Sequence, residues 1–431
     1  MKNMGLAVRV LWTVRKSCRG SLCFLPNLHR SCLSKHSHSN SNSNSNANPL
    51  LLKLLQVSNS HIKTTLDQEI SSLQNSQLSW NALVTSLSPS FSDKARLVLE
   101  WILEKMLKEN EKDHNLFSEL IYLCGKVKNV QLGMHVFSSM EANGIKPTSL
   151  VFNSLISVCL SSHDVVTALS LFEIMESSES YKPDFHTYNI FISAFSKSGN
   201  VDAMLAWYSA KKSAGLGPDL QMFESLMLGC VNSRNFEIAD RIFEEMMNSE
   251  IVPNASILES RLKGICKQKS LGQAEEFFKF VMHAGWEINE NMVDKLVALY
   301  QEQGQVEKME ELLETMTKAR VITPVVLSRI HCGIVRMYAM LDRLDEVEFA
   351  VGRMLKQGLS FTSVDDVEKV ICSYFRREAY DRLDIFLECL KKSCYVLNKS
   401  TYDLLISGYR RARLNEKVDS MMEEMKSAGL A

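Results

Sequence analysis

Residues of several chemical classes recur along most of this chain at intervals of about 35 positions. Prolines show the interval most clearly, in steps of 36, 35 and 35 residues: Pro147, Pro183, Pro218 and Pro253. Aromatic residues recur in steps of 35, 36 and 35 residues: Phe117, Phe152, Tyr188 and Phe223. Because independent residue types share one register, the sequence predicts an array in which one small structural repeat is stacked many times.

Each repeat is predicted to contain two helices. Within residues 185–219, Tyr188 and Ile192 lie on one apolar helical face, and the Ser-Gly-Asn segment at 198–200 ends that helix. A second apolar face follows, and Pro218 ends it because proline cannot continue a helix. Helix pairs this short bury their apolar faces only by stacking, so we predict an all-α superhelical solenoid.

The periodicity also predicts the domain organisation. We expect nine repeats, the last of them truncated, from residue 114 to residue 431. Their approximate ranges are 114–148, 149–184, 185–219, 220–254, 255–289, 290–327, 328–362, 363–398 and 399–431. Residues 49–113 are predicted to form N-terminal helices that include a degenerate repeat capping the array.

The N-terminus differs sharply in charge from the rest of the chain. The first 66 residues hold 9 Lys or Arg and no Asp or Glu, whereas the remainder holds 40 basic and 50 acidic residues, a net charge of −10. A basic amphipathic segment without acids is typical of an organellar transit peptide. Residues 1–48 are therefore predicted to be a transit peptide and a Ser/Asn-rich linker. We expect import into the mitochondrion, with the chloroplast as the alternative.

Composition and missing motifs exclude several classes of function. The overall net charge of −1 excludes a uniformly basic surface that holds nucleic acid by charge alone. No run of 18 uninterrupted apolar residues occurs, so we expect no membrane span. Phosphate-binding loops, Cys-x-x-Cys pairs and dinucleotide-binding motifs are all missing from the sequence. We therefore expect no catalysis, cofactor, metal site or small-molecule substrate.

Several segments of the array resemble the pentatricopeptide repeat. The resemblance rests on Phe-Asn-Ser-Leu-Ile at 152–156, on Tyr-Asn-Ile-Phe-Ile at 188–192, and on Phe-Glu-Glu-Met at 243–246 followed by Pro253. It implies a right-handed superhelix of the land-plant organellar type without an appended catalytic domain. It also implies binding of single-stranded organellar RNA along the concave face, with roughly one base per repeat.

The resemblance further implies which residues select the base. In this family, the residue after the first aromatic of the repeat and the last residue of the repeat set the choice. Carried over, the pairs are Ser118 with Thr148, Asn153 with Asp184, and Asn189 with Asp219. The two Asn/Asp pairs resemble the pyrimidine-reading combination with uracil preferred. Their alternative role is structural, because Asn favours helix starts and Asp favours turns.

The resemblance also implies contacts to stacked bases and to the RNA backbone. Leu150 and His186 occupy the second position of their repeats, where the family sandwiches bases. Four cations share a register near the end of the first helix: Lys126, Lys197, Lys267 and Arg411. Their alternative role is that of solvated surface side chains.

Other repeats depart from the family pattern at the base-selecting positions. Those positions hold Glu224 and Asn254, Glu259 and Asn289, Cys332 and Thr362, and Val367 in repeat 8. None is a recognised base-reading combination, and glutamate repels phosphate. Two hypotheses follow. The first is a non-catalytic adaptor that holds RNA for processing, splicing, stability or translation. The alternative is a scaffold that binds proteins of an organellar ribosome or RNA-processing complex.

Overall fold

The computed structural model describes residues 49–72, 79–318 and 323–430. Every regular element within these ranges is a helix, and they contain no strand, so the predicted all-α fold is confirmed. None of the described helices is long and apolar enough to cross a bilayer. The predicted transit peptide and linker lie outside the described residues.

Two helices, A and B, lie within each of nine repeats. The A helices are His114–Lys126, Ser149–Ser161, Phe185–Ser198, Leu220–Asn232, Ala255–Gln268, Glu290–Gln303, Pro324–Met340, Val364–Arg376 and Lys399–Arg411. The B helices are Val130–Ala142, Val165–Ser177, Val201–Ser213, Phe236–Asn248, Leu271–His283, Val306–Lys318, Leu344–Lys356, Tyr380–Lys392 and Asn415–Ser427. The array is preceded by α-helices Pro49–Gln56, Ile62–Ser72, Trp80–Leu87 and Ser92–Lys108 and by the 3-10 helix Asn59–His61.

Helix A of repeat 7 begins earlier than predicted. It starts at Pro324, four residues before the expected boundary at 328. Thr323 caps this helix, since its Oγ1 accepts a hydrogen bond from the Val326 N–H at 3.4 Å. Proline suits the first helical turn because the N–H that it lacks would have no helical partner there. Local capping therefore extends this helix beyond the period.

The boundary before repeat 8 is shifted by one residue. Ser363 has an extended backbone and helix A begins at Val364. Val367 is therefore the fourth residue of this helix and is fully buried, whereas Glu368 is the fifth. Counted along the helix, Glu368 and not Val367 is therefore equivalent to Asn153 and Asn189.

The helices form two compact units. The N-terminal unit reaches Asn235 and includes Asn248–Ile251, and the C-terminal unit comprises Phe236–Met247 and the chain from Val252 onward. Within each unit, helix A of one repeat packs against helix A of the next. The A helices therefore form a layer in each unit, and residues at equivalent positions lie in a row along it.

Aromatic side chains fill the core of the N-terminal unit. The predicted aromatic series is buried: Phe117, Phe152, Tyr188 and Phe223. Trp207 of helix B in repeat 3 is 1% exposed and stacks on Phe191, with ring centroids 3.9 Å apart and planes 6° apart. Phe172 meets the same indole edge-on at 4.8 Å. These contacts join repeats 2 and 3.

The C-terminal unit contains a buried titratable histidine. His331 is 1% exposed, its Nε2 lies 3.1 Å from Gln357 Oε1, and its Nδ1 has no hydrogen-bond partner. Burial, reinforced by the nearby positive charge of Arg353, lowers the pKa of His331 to about 4. The folded chain therefore resists protonation of this ring.

We expect the stability supplied by neutral His331 to be lost on acidification. A histidine whose pKa is lowered by folding contributes fully above its unfolded value and loses that contribution as pH falls toward the folded value. Between about pH 7 and pH 5 the loss should be about 2 kcal/mol. Urea titrations at both pH values should show a smaller change for His331→Gln than for the wild type. Equal changes in both proteins would contradict the assignment.

Candidate nucleic-acid interface

The fifth residue of helix A meets the last residue of the same repeat in repeat 2. Asn153 is 5% exposed, and its Nδ2 donates a hydrogen bond to Asp184 Oδ1 at 3.1 Å. Asp184 also caps the next helix A, because the same oxygen accepts from the Thr187 N–H at 2.9 Å. The two interpretations of this aspartate are therefore compatible, since one carboxylate caps a helix and holds an amide.

Repeat 3 contains the same arrangement. Asn189, 4% exposed, donates from Nδ2 to both carboxylate oxygens of Asp219 at 3.0 Å. Asp219 caps the following helix by accepting from the Met222 N–H at 2.9 Å. Burial opposes ionisation of Asp219, but hydrogen bonds from Lys211, Met222 and Asn189 outweigh it and lower the pKa of its carboxyl below the usual value. Asp219 is therefore an anion at neutral pH.

The carbonyl ends of both amides are also occupied. Asn153 Oδ1 accepts from Thr187 Oγ1 at 2.7 Å, and Asn189 Oδ1 accepts from Lys211 Nζ at 3.0 Å. Each amide therefore has a donor on its oxygen side and a carboxylate on its nitrogen side. This arrangement fixes the orientation of the amide and leaves one N–H available for another acceptor.

The predicted pair in repeat 1 does not form. Ser118 Oγ lies 2.8 Å from Ser154 Oγ and donates to the Leu150 carbonyl oxygen at 3.3 Å. Thr148 Oγ1 is buried without a hydrogen-bond partner. Two short hydroxyl side chains do not span the distance that an amide and a carboxylate bridge in repeats 2 and 3.

Repeat 5 forms a pair that the sequence did not predict. Asn289 Nδ2 donates to Glu259 Oε1 at 2.8 Å, and Lys295 Nζ lies 3.3 Å from Glu259 Oε2. Asn289 caps the next helix, as Asp184 and Asp219 do. Glu259 and Asn289 occupy the same two repeat positions as the Asn/Asp pairs, and this shared register was the only sign of the pair in the sequence. The amide and the carboxylate are exchanged, because Glu259 stands where repeats 2 and 3 have Asn.

Acidic side chains dominate the fifth position of helix A after repeat 3. The residues are Glu224, Glu259, Asp294, Glu368 and Asp403. Arg329 Nη1 lies 2.8 Å from Asp294 Oδ2, and Thr401 Oγ1 donates to Glu368 Oε1 at 3.3 Å. The fifth position of helix A therefore holds amides in repeats 2 and 3 and carboxylates in most later repeats, and carboxylates repel an RNA backbone.

The side chains predicted to contact stacked bases and phosphates are exposed. Leu150 is 48% exposed, and exposed His186 lies against Phe185 with ring centroids 3.9 Å apart. The four predicted cations all lie in the last turn of their A helices: Lys126, Lys197, Lys267 and Arg411. A cation there is also favoured by the helix dipole, so its position has a cause independent of RNA.

Stacked helical hairpins with equivalent polar residues along their A helices define a helical-repeat solenoid protein. Sequence profiles agree: the PPR repeat family matches residues 147–197, the pentatricopeptide repeat domain matches 96–162 and 210–258, and the PPR repeat matches 186–216 and 400–430. The chain belongs to the pentatricopeptide repeat family. The match at 96–162 extends into the predicted degenerate repeat.

Known proteins of this family match parts of the chain. The chloroplastic pentatricopeptide repeat-containing protein PPR5 of Zea mays is 32% identical over 92 residues, covering 20% of this chain and 18% of that protein. The small ribosomal subunit protein mS79 of Arabidopsis thaliana is 28% identical over 106 residues, covering 23% and 27%. The chain thus spans less than a fifth of PPR5 and only part of mS79.

A solved structure matches the fold over most of the chain. The maize pentatricopeptide repeat protein PPR10 superposes with a TM-score of 0.57 at 17% identity, covering 89% of this chain and 58% of that one. This similarity confirms the predicted solenoid of helix-turn-helix repeats.

Proposed function

We propose that this chain is a non-catalytic adaptor that binds single-stranded RNA in an organelle. The proposal rests on one observation: Asn153 with Asp184 and Asn189 with Asp219 form the same hydrogen-bonded pair at the same position of adjacent repeats. Each amide keeps one N–H that can donate to the Watson–Crick edge of a base. Adjacent repeats would read adjacent pyrimidines.

The burial of Asn153 and Asn189 limits how much each side chain can contribute to the affinity for RNA. With only about a twentieth of the side chain exposed, a base can approach one edge of the amide. A base stacked on an aromatic ring adds about 1–3 kcal/mol, and the ring of His186 is exposed. Leu150 is also exposed and offers an apolar contact. Two reading repeats therefore give selectivity for a short pyrimidine segment, and the acidic fifth positions add little affinity for RNA.

We propose the chloroplast as the location. Four relatives that match the chain carry the word chloroplastic in their names. These names favour the chloroplast over the mitochondrion, which was the location expected from the sequence. The similarity to mS79 supports a ribosome or RNA-processing assembly as the setting in which the adaptor works with partner proteins.

Replacing both reading asparagines is expected to abolish pyrimidine preference. In Asn153→Ala plus Asn189→Ala, neither repeat retains an amide that can donate to a base, so the preference for U-rich over A-rich RNA should fall by about tenfold per repeat. Fluorescence anisotropy with short single-stranded RNAs at two salt concentrations measures it. Asn143→Ala, which removes an exposed amide that bonds only the Ser139 carbonyl oxygen, serves as the matched control.

Two results would contradict the proposal. Unchanged preference in the double variant would exclude base reading by these pairs. No RNA binding by the wild type at either salt concentration would leave the protein-binding scaffold as the better hypothesis.

A further inference from the structure

One core position of helix B is apolar in every repeat except repeat 3. The eleventh residue of helix B is buried and apolar in eight repeats: Met140, Met175, Met246, Val281, Met316, Met354, Leu390 and Met425. In repeat 3 this residue is Lys211, and its side chain is 0% exposed. A fully buried lysine is rare and costly unless its ammonium group is paired.

The ammonium group of Lys211 is directed to the reading pair. Nζ donates to Asn189 Oδ1 at 3.0 Å and forms an ion pair with the Asp219 carboxylate. The methionine found in six of the equivalent positions can donate to neither group. Lys211 therefore connects the core of repeat 3 to its candidate base-reading position.

Repeat 2 obtains the same contact from a different residue. There the hydroxyl of Thr187, third residue of the following helix A, donates to Asn153 Oδ1. The third residue of the next helix A is Met222, which cannot donate to Asn189. In repeat 3 the donor to the asparagine oxygen is therefore Lys211 of the same repeat, whereas in repeat 2 it is Thr187 of the next repeat.

The two donors differ in chemistry. A hydroxyl can donate or accept, so Thr187 does not by itself fix the orientation of the Asn153 amide, which the Asp184 carboxylate sets, whereas an ammonium group can only donate. A reversed Asn189 amide would direct its NH2 group at Lys211 and its oxygen at the Asp219 carboxylate. Lys211 therefore holds Asn189 with its oxygen inward and its remaining N–H free.

We propose that Lys211 is a positioning residue that makes repeat 3 select uracil over cytosine, a refinement that rests on the proposed RNA-binding function. Uracil presents a carbonyl oxygen where cytosine carries an amino group. A fixed amide N–H can donate to the uracil oxygen, whereas the cytosine amino group offers it a second donor and no acceptor. An Asn189 amide held by Asp219 alone would reverse more readily, and its oxygen could then accept from the cytosine amino group.

The test compares Lys211→Met with the wild type on RNAs that carry U or C at one position. Single variants Asn153→Ala and Asn189→Ala first identify which nucleotide each repeat contacts. We expect Lys211→Met to reduce the U-over-C preference by about three- to tenfold at the repeat 3 nucleotide and to leave the repeat 2 nucleotide unchanged. Thermal stability is expected to fall, because the variant leaves Asn189 Oδ1 and the Asp219 carboxylate without the ammonium group that pairs with them, so binding is measured well below the unfolding transition.

A second variant separates positioning from general damage. Lys211→Met plus Met222→Thr places a hydroxyl where Thr187 stands in the preceding junction. It should again supply a donor to Asn189 Oδ1 but leave the U-over-C preference reduced, because a hydroxyl can also accept from a reversed amide. If Lys211→Met still binds RNA with an unchanged U-over-C preference, the proposed role of Lys211 is wrong, while the proposed RNA-binding function stands. Absence of RNA binding by the wild type would overturn both this inference and the proposed function.

Discussion

Replacing Trp207 with alanine is expected to lower the free energy of unfolding by about 3–5 kcal/mol. The indole is almost fully buried between Phe172 and Phe191, which belong to helix B of repeat 2 and helix A of repeat 3. Its removal deletes a stacked ring contact and leaves a cavity that rigid neighbouring helices fill only in part. Urea unfolding followed by far-ultraviolet circular dichroism measures the change.

Two controls test the origin of this effect. Trp207→Phe keeps an aromatic ring and removes an indole N–H that has no hydrogen-bond partner, so its cost should be less than half as large. Val166→Ala alters a side chain that is 74% exposed and should change stability by no more than about 0.5 kcal/mol. A loss below about 1 kcal/mol for Trp207→Ala would show that the repeats 2 and 3 contact is not structurally important.

A single methyl group at Gly333 is expected to destabilise the C-terminal unit by about 2–3 kcal/mol. A Cβ built at Gly333 would lie 2.5 Å from Val297 Cγ1 and 3.3 Å from Val297 Cβ. Valine has a stiff side chain, so the A helices of repeats 6 and 7 must separate to relieve the clash. This cost exceeds the gain of about 1 kcal/mol that alanine brings to a helix interior.

Matched glycine variants test this explanation. Gly352→Ala adds the same methyl group within a helix where nothing lies within 4 Å, and should leave stability unchanged or raise it. Adding Val297→Ala to Gly333→Ala should recover part of the loss, giving a favourable coupling in a double-mutant cycle. Additive losses in the cycle would refute the steric explanation.

The sequence predicted the architecture well because its strongest signal reports packing directly. Phe117, Phe152 and Phe223 recur at the repeat period since each occupies the same buried position between helices. The repeat period did not predict where helix A of repeat 7 begins, because a local capping residue determines that start. Thr323 caps helix A of repeat 7, and a single residue at a cap does not alter a periodic pattern.

The candidate site was less accessible to sequence reasoning. Family resemblance identified the Asn/Asp positions, whose role in base reading remains a prediction. It could not reveal that Asn289 and Glu259 make a similar bond with their chemistry exchanged. Lys211 was hidden for another reason: it interrupts a series of buried apolar residues, and only the three-dimensional contacts show where its ammonium group reaches.

The double duty of Asp184 and Asp219 has a consequence for redesign. Each aspartate closes one repeat and starts the next helix, so recoding it alters two modules together. A graft joined at the formal end of a repeat would separate Asn153 from the carboxylate, or from the hydroxyl of Thr187, that orients it. Modules transplanted from this protein should instead be joined within helix A, beyond the residues that span the junction.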